Sequence, residues 1–139
     1  MSNAGPRWPL IAASLLGATG VMAGAFGAHG LASRVTSERL EVWQTAATYQ
    51  LFHSIALLAL ALYILYVSNV TKTSTALWVC RSWLVGVIIF SGSLYGLVLS
   101  GITWLGAITP IGGMLLIVGW VVLGSLALGG AGEIGRAHV

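Results

Sequence analysis

Long uncharged stretches, separated by short polar or basic segments, dominate the pattern of this chain. Between Arg7 and Arg34, residues Pro9 to Ala28 form a mostly apolar run. At 1.5 Å per residue, about 20 such residues cross a hydrocarbon core of about 30 Å. A second uncharged stretch runs from Val42 to Thr71, with its apolar heart in Leu51 to Val67, and a third, Ser82 to Gly132, is long enough for two crossings. The turn-like Ser100-Gly101-Ile102-Thr103 divides that third stretch, and Pro110 follows where a helix tolerates it, in the first turns. The pattern predicts spans at about 9–29, 46–67, 83–100 and 105–128. Lipid leaves no partner for a free backbone amide, so the spans are expected to be helices; no strand alternation of a barrel is visible.

A cleaved signal peptide is the rival reading of the first span, because Arg7 precedes it and Ala23-Gly24-Ala25 resembles a cleavage site. A signal core of about 7 to 15 residues is shorter than this glycine-threaded run. Ser37-Glu38-Arg39-Leu40-Glu41 reads as a helix start, with Ser37 as the cap and both acids near the positive end of the dipole. The fold class expected is all-α, an integral membrane four-helix bundle whose second span is extended by an interfacial amphipathic start.

Composition sharpens this. Of 139 residues, six are Lys or Arg and three Asp or Glu; charged residues make up 6% and apolar ones 58%, with a mean hydropathy of +0.96. A soluble domain carries about a quarter charged residues. A cytosolic enzyme, a disordered tail and a nucleic-acid binder are thereby excluded, and the partner implied is the lipid bilayer. The net charge of +3 comes from scattered basic residues. Residues 133–139 read as a translated sequencing adapter, expected to carry no biology. The remaining charges, Arg7, Arg34, Glu38, Arg39, Glu41, Lys72 and Arg81, all flank the spans, so none is expected in the lipid core. Trp8, Trp43, Trp78, Trp83 and Trp104 fall at span ends, as an aromatic belt does, and Trp120 alone lies inside one. Arg7, Lys72 and Arg81 on the terminal side, against Arg34 and Arg39, favour cytoplasmic termini. The single Cys80 allows no internal disulfide or cysteine metal cluster.

Two sets of residues carry candidate chemistry. Gly17, Gly20, Gly24 and Gly27 recur every three or four residues in the first span, and Gly92 and Gly96 repeat the spacing in the third. Such faces let helix backbones approach closely. Packing within one monomer is the favoured reading, over a homo-oligomer through the glycine-rich faces or a substrate groove, and Gly24→Leu is expected to lower stability in detergent. The second set is polar: His29, Tyr49, Gln50, His53, Ser91, Ser93, Tyr95 and Thr109 gather in the half of the bundle away from the termini. Glu38, Thr45, Tyr49 and His53 fall on one stripe of the second span, and His53 is expected to point inward toward His29 or Tyr95. Three readings compete: hydrogen-bonding glue between helices, a proton or small-molecule pathway, and a bis-histidine haem or metal site. The last is short of ligands, so no metal or cofactor is expected. No phosphate loop, nucleophile elbow, HExxH motif or intramembrane carboxylate pair supports an enzyme.

Taken together, Gly24-Ala25-Phe26-Gly27-Ala28-His29, Trp43-Gln44-Thr45 with Tyr49 and His53, Phe90-Ser91-Gly92-Ser93-Leu94-Tyr95, and Thr109-Pro110-Ile111-Gly112-Gly113 with Gly119-Trp120 resemble a known family. It is the domain of unknown function 423, also called the transmembrane protein 256 family, with related bacterial UPF-type proteins. The likeness runs from about Leu15 to Leu128. It implies a multi-pass protein of the bacterial plasma (inner) membrane with cytoplasmic termini, and no known reaction, substrate or cofactor. A basic C-terminal tail common among relatives is missing here, as the adapter reading of 133–139 would explain. A structural or accessory membrane protein is the function expected; the alternative is a small transporter or channel using the polar cluster.

Overall fold

A computed structural model describes residues 5–66 and 69–128. Position 67, the expected end of the second span, and the segment 133–139 lie outside these residues. The chain forms α1 (Trp8–Phe26), continued by a π-helical turn (Gly27–Leu31), then α2 (Ser37–Tyr66), α3 (Val70–Ser100), a short 3-10 helix (Thr103–Ala107) and α4 (Thr109–Leu128). All four helices are long and apolar enough to cross a membrane.

Local chemistry explains the boundaries. Pro9 sits in the first turn of α1, where a missing N–H costs nothing. The cap of α2 is Thr36 rather than Ser37: the helix starts at Ser37, and the Thr36 hydroxyl accepts the Arg39 N–H at 3.3 Å. Helix α3 begins at Val70, well before the expected Trp83, because the Asn69 side chain accepts the Lys72 N–H at 3.0 Å and no breaker follows. It ends at Gly101, whose φ of 73° suits glycine and whose N–H bonds the Leu97 carbonyl.

Helix α2 is the hub. Trp43, Ala46, Ala47, Gln50, His53, Ser54, Leu57, Leu60, Ala61 and Ile64 are buried along it, a three-to-four spacing that makes one continuous face. The stripe expected through Thr45 and Tyr49 instead faces outward; those residues lie a fraction of a turn off the buried face. Helices α1 and α3 pack on α2, and α4 packs on α3; among the described residues α4 makes no close backbone approach to α1 or α2. Toward the termini, Leu57, Leu60 and Ile64 meet Ala76, Val79, Cys80, Trp83 and Val87 of α3. At the other end Leu31, Trp43 and Val98 form a smaller apolar cluster.

Three expectations change. A β-carbon added at Gly24 or Gly92 would meet nothing within 4 Å, and one at Gly17 only an ordinary contact with Ser54, so these glycines do not make the close helix contact expected. Gly20, Gly27 and Gly96 do sit tight, against Leu51, Trp43 and Leu105. The closest backbone approach lies elsewhere: a β-carbon on Gly112 would collide with the Phe90 backbone and the Gly86 carbonyl, and one on Gly119 with the Trp83 indole. Trp43 and Trp83 are not belt residues but core, 5% and 1% exposed, because their helices extend a full segment beyond them. Arg81, likewise, lies inside α3, not at its end.

These contacts separate two glycines. Gly112→Ala is expected to cost about 1–3 kcal/mol by overpacking α3 against α4. Gly24→Ala is expected to leave the melting temperature in detergent unchanged or higher, since replacing a helical glycine gains up to about 1 kcal/mol. Melting of both variants beside the parent protein checks the pair.

Candidate functional site: the central polar layer

Between the two apolar clusters lies a layer of hydrogen-bonded side chains. Gln50, midway along α2 and 4% exposed, is its centre. Its amide nitrogen donates to the Leu16 carbonyl at 2.9 Å and to the Thr19 hydroxyl at 2.7 Å, both on α1. Its amide oxygen accepts the Tyr95 hydroxyl of α3 at 2.7 Å. Thr19 passes its own proton to the Leu15 carbonyl at 2.7 Å. One side chain thus joins three helices and uses both donors and its acceptor. Beside it, the Trp43 indole donates to the Ala23 carbonyl at 2.7 Å and packs on the Tyr95 ring at 4.5 Å. Its close fit to Gly27 places it at the start of the π-helical turn.

On the side of α2 facing α4 stands a second group. The Trp120 indole, a donor only, donates to His53 Nε2 at 3.0 Å. The opposite ring nitrogen therefore carries the proton, and Nδ1–H donates to the Tyr49 carbonyl at 2.8 Å. Trp83 completes the group, with ring centroids 6.0 Å from His53 and 4.5 Å from Trp120. Its indole donates to the Leu116 carbonyl at 3.3 Å, and the Ser82 hydroxyl to the Leu115 carbonyl at 2.7 Å. Two open grooves, of about 490 and 520 Å³, flank the His53–Trp120 bridge and are lined almost wholly by apolar and aromatic side chains.

The expected cluster is therefore divided. Gln50 and Tyr95 meet directly; Ser91 donates to the Ala46 carbonyl at 2.8 Å; Ser93 shares a 2.6 Å hydrogen bond with Thr109. Tyr49 lies 44% exposed on the outer face, packed against Phe90 at 4.6 Å. His29 is exposed in the π-helical turn and does not approach His53. Gly17 of α1 is level with Ser54, so His29 stands about twelve residues, on the order of 18 Å, further along the helix. His53 meets Trp120 and not Tyr95, since Tyr95 belongs to the Gln50 side of α2. Gln50 and His53 also lie near the middle of α2, deeper than an outer-half cluster requires.

Sequence reasoning missed Thr19, Trp43, Trp83 and Trp120 as partners. The Gly119-Trp120 pair was a signal available for one of them: a glycine beside an intramembrane tryptophan leaves room for a second large ring. Among the described residues no three His, Cys, Asp or Glu side chains come together as a metal site would require. No buried side-chain nitrogen or oxygen among them lacks a hydrogen-bond partner.

Comparison with known proteins bears on this layer. The family described as Protein of unknown function (DUF423) matches residues 23–113, a segment that includes Gln50, His53, Ser91 and Tyr95. The chain is 47% identical over 115 residues to a UPF0382 membrane protein of Staphylococcus aureus, covering 78% of this chain and 88% of the relative. A UPF0382 membrane protein of Staphylococcus saprophyticus is 46% identical, covering 78% and 90%. The UPF0382 membrane protein YwdK of Bacillus subtilis is 39% identical over 100 residues, covering 72% and 79%. No solved structure matches the chain.

Gln50→Leu strips the half-buried Tyr95 hydroxyl of its acceptor and breaks the link to α1, and is expected to cost about 1–3 kcal/mol. Tyr95→Phe removes one bond and is expected to cost about 0.6–2 kcal/mol. A double-mutant cycle on melting in detergent should show the two losses to be non-additive, since each removes the same bond.

Proposed function

The chain belongs to the DUF423 family, with relatives named as bacterial membrane proteins, and from that premise we propose a non-enzymatic, structural or accessory role in the bacterial plasma membrane. The observation that carries this reading is the closure of the polar layer: among the described residues no buried side-chain donor or acceptor is left for a substrate. A transport pathway needs groups that exchange partners. Gln50 spends its donors on α1 and its acceptor on α3, and both ring nitrogens of His53 are engaged. Protonating His53 Nε2 would set two N–H groups against each other. The flanking grooves are open and lie between α2 and α4, and polar side chains contribute little to their walls.

The orientation that accompanies this reading puts both termini in the cytoplasm, with Arg7, Lys72 and Arg81 on that side and Arg34 and Arg39 on the other. The outward Gly24 and Gly92 leave room for a second copy of the chain to approach, a homo-oligomer compatible with an accessory role.

Reconstitution into vesicles tests the proposal. Vesicles containing the full chain and a pH-sensitive dye are expected to leak protons no faster than protein-free vesicles after a pH jump. A protein-dependent flux that falls in a folded His53→Ala variant would overturn the reading in favour of a pathway.

A further inference from the structure

Among the described residues Arg81 is the charge that the fold places deepest along a helix. Helix α3 begins at Val70, eleven residues earlier, so the Arg81 backbone lies about 16 Å along its axis. Its neighbours fix the level: Cys80 and Trp83 are in the apolar core, and Ser82 bonds the Leu115 carbonyl of α4. The residue nevertheless faces out of the bundle. Its guanidinium returns toward the terminal side, standing 5.9 Å from the centre of the Trp8 ring in the first turn of α1. This is the posture of a long cationic side chain whose stem lies along apolar surface while its head reaches the interface.

The head has no protein counter-ion there among the described residues. Among the described residues the carboxylates are Glu38 and Glu41, both in the first turns of α2, at the opposite end of the bundle. Lys72, the other basic residue of α3, is nine residues away and so about half a turn round the helix. Arg7 precedes Trp8 and adds a second cation on the same side. A planar donor fork near a membrane surface, held by an aromatic face and unpaired with acid among the described residues, matches the phosphate of a lipid.

We propose that Arg81 and Trp8 form a binding site for the phosphodiester of one anionic phospholipid in the leaflet at the terminal side. The guanidinium donates to the phosphate oxygens, Arg7 supplies the surplus positive charge that favours an anionic over a zwitterionic headgroup, and the acyl chains lie along the outer surfaces of α1 and α3.

Native mass spectrometry of the full chain in detergent, titrated with phosphatidylglycerol or with phosphatidylcholine of the same acyl chains, tests the site. The parent protein is expected to bind one phosphatidylglycerol more tightly than phosphatidylcholine. Arg81→Gln is expected to weaken that binding roughly tenfold, the loss of a charge-assisted bond. Lys72→Gln, with the same change in net charge, is expected to leave it intact. If Arg81→Gln does not fold, Arg81→Lys takes its place, keeping the charge and losing the fork, and is expected to bind measurably more weakly than the parent. Equal binding of the two lipids, undiminished binding in the Arg81 variant that folds, or an equal loss in Lys72→Gln would overturn the site. Displacement of the lipid by inorganic phosphate at matched concentration would overturn its assignment to a lipid.

Discussion

A hydrocarbon slab supplies no water to a polar side chain, and the centre of this bundle is organised by that deficit. Gln50 answers it with one amide that reaches α1 on one side and α3 on the other. Such bonds are individually modest in membranes, but they are directional. Sliding α1 past α2 by one residue moves it 1.5 Å, enough to break bonds of 2.7 to 2.9 Å. The apolar clusters above and below impose no such register, since leucine packs about as well against lipid as against leucine. Axial alignment of α1, α2 and α3 therefore depends on Gln50, on the Trp43–Ala23 bond between α2 and α1, and on the Ser91–Ala46 bond between α3 and α2.

The α3–α4 half uses a different device. There Gly86, Gly112 and Gly119 remove the side chains that would keep the helices apart, and large groups fill the space: Leu116 against Gly86, and the Trp83 ring against Gly119. Close approach lets Ser82 and Trp83 donate to α4 carbonyls, so polar groups again find partners without water. Membrane helices lack a hydrophobic force between them, and interdigitated packing of this kind is what remains to hold them.

Much of this was legible in the sequence. Uncharged runs of bilayer length, bounded by basic residues, required four crossings, because lipid permits few other structures. Gln50, Tyr95, Ser93 and Thr109 could be named because a polar group at such depth has to bond somewhere. Which partner it takes was not legible. Thr45, Tyr49 and His53 share a spacing, yet the buried face runs through Gln50, His53 and Leu57, and an apolar background around the whole helix hides that choice. Glycine spacing misled for the same reason: Gly20–Gly24 matches the packing pattern, but only one of the pair faces another helix. Arg81 looked like a span boundary because a charge usually is one; the cap at Asn69 extends α3 well beyond it.

Because these two devices act in different places, α1 and α4 are each held chiefly by one neighbour, α1 by α2 and α4 by α3. The buried residues of α4 are Gly112, Leu116 and Gly119, a single ridge facing α3, whereas α2 has a buried face that runs from Trp43 to Ile64. Among the described residues, the His53–Trp120 bond is the side-chain hydrogen bond that ties α4 to α2. Regions with few buried contacts open at lower free energy than the rest. Helices α2 and α3 thus form the centre, and α4 is a flank held on one ridge, by the Ser82, Trp83 and Ser93 bonds along α3 and by one bridge to α2. Because the His53 tautomer that accepts from Trp120 also donates to Tyr49 of its own helix, that bridge is aimed by the backbone of α2. The grooves on either side of it share Ala56, Ala59 and Trp120, so the bridge forms the partition between them.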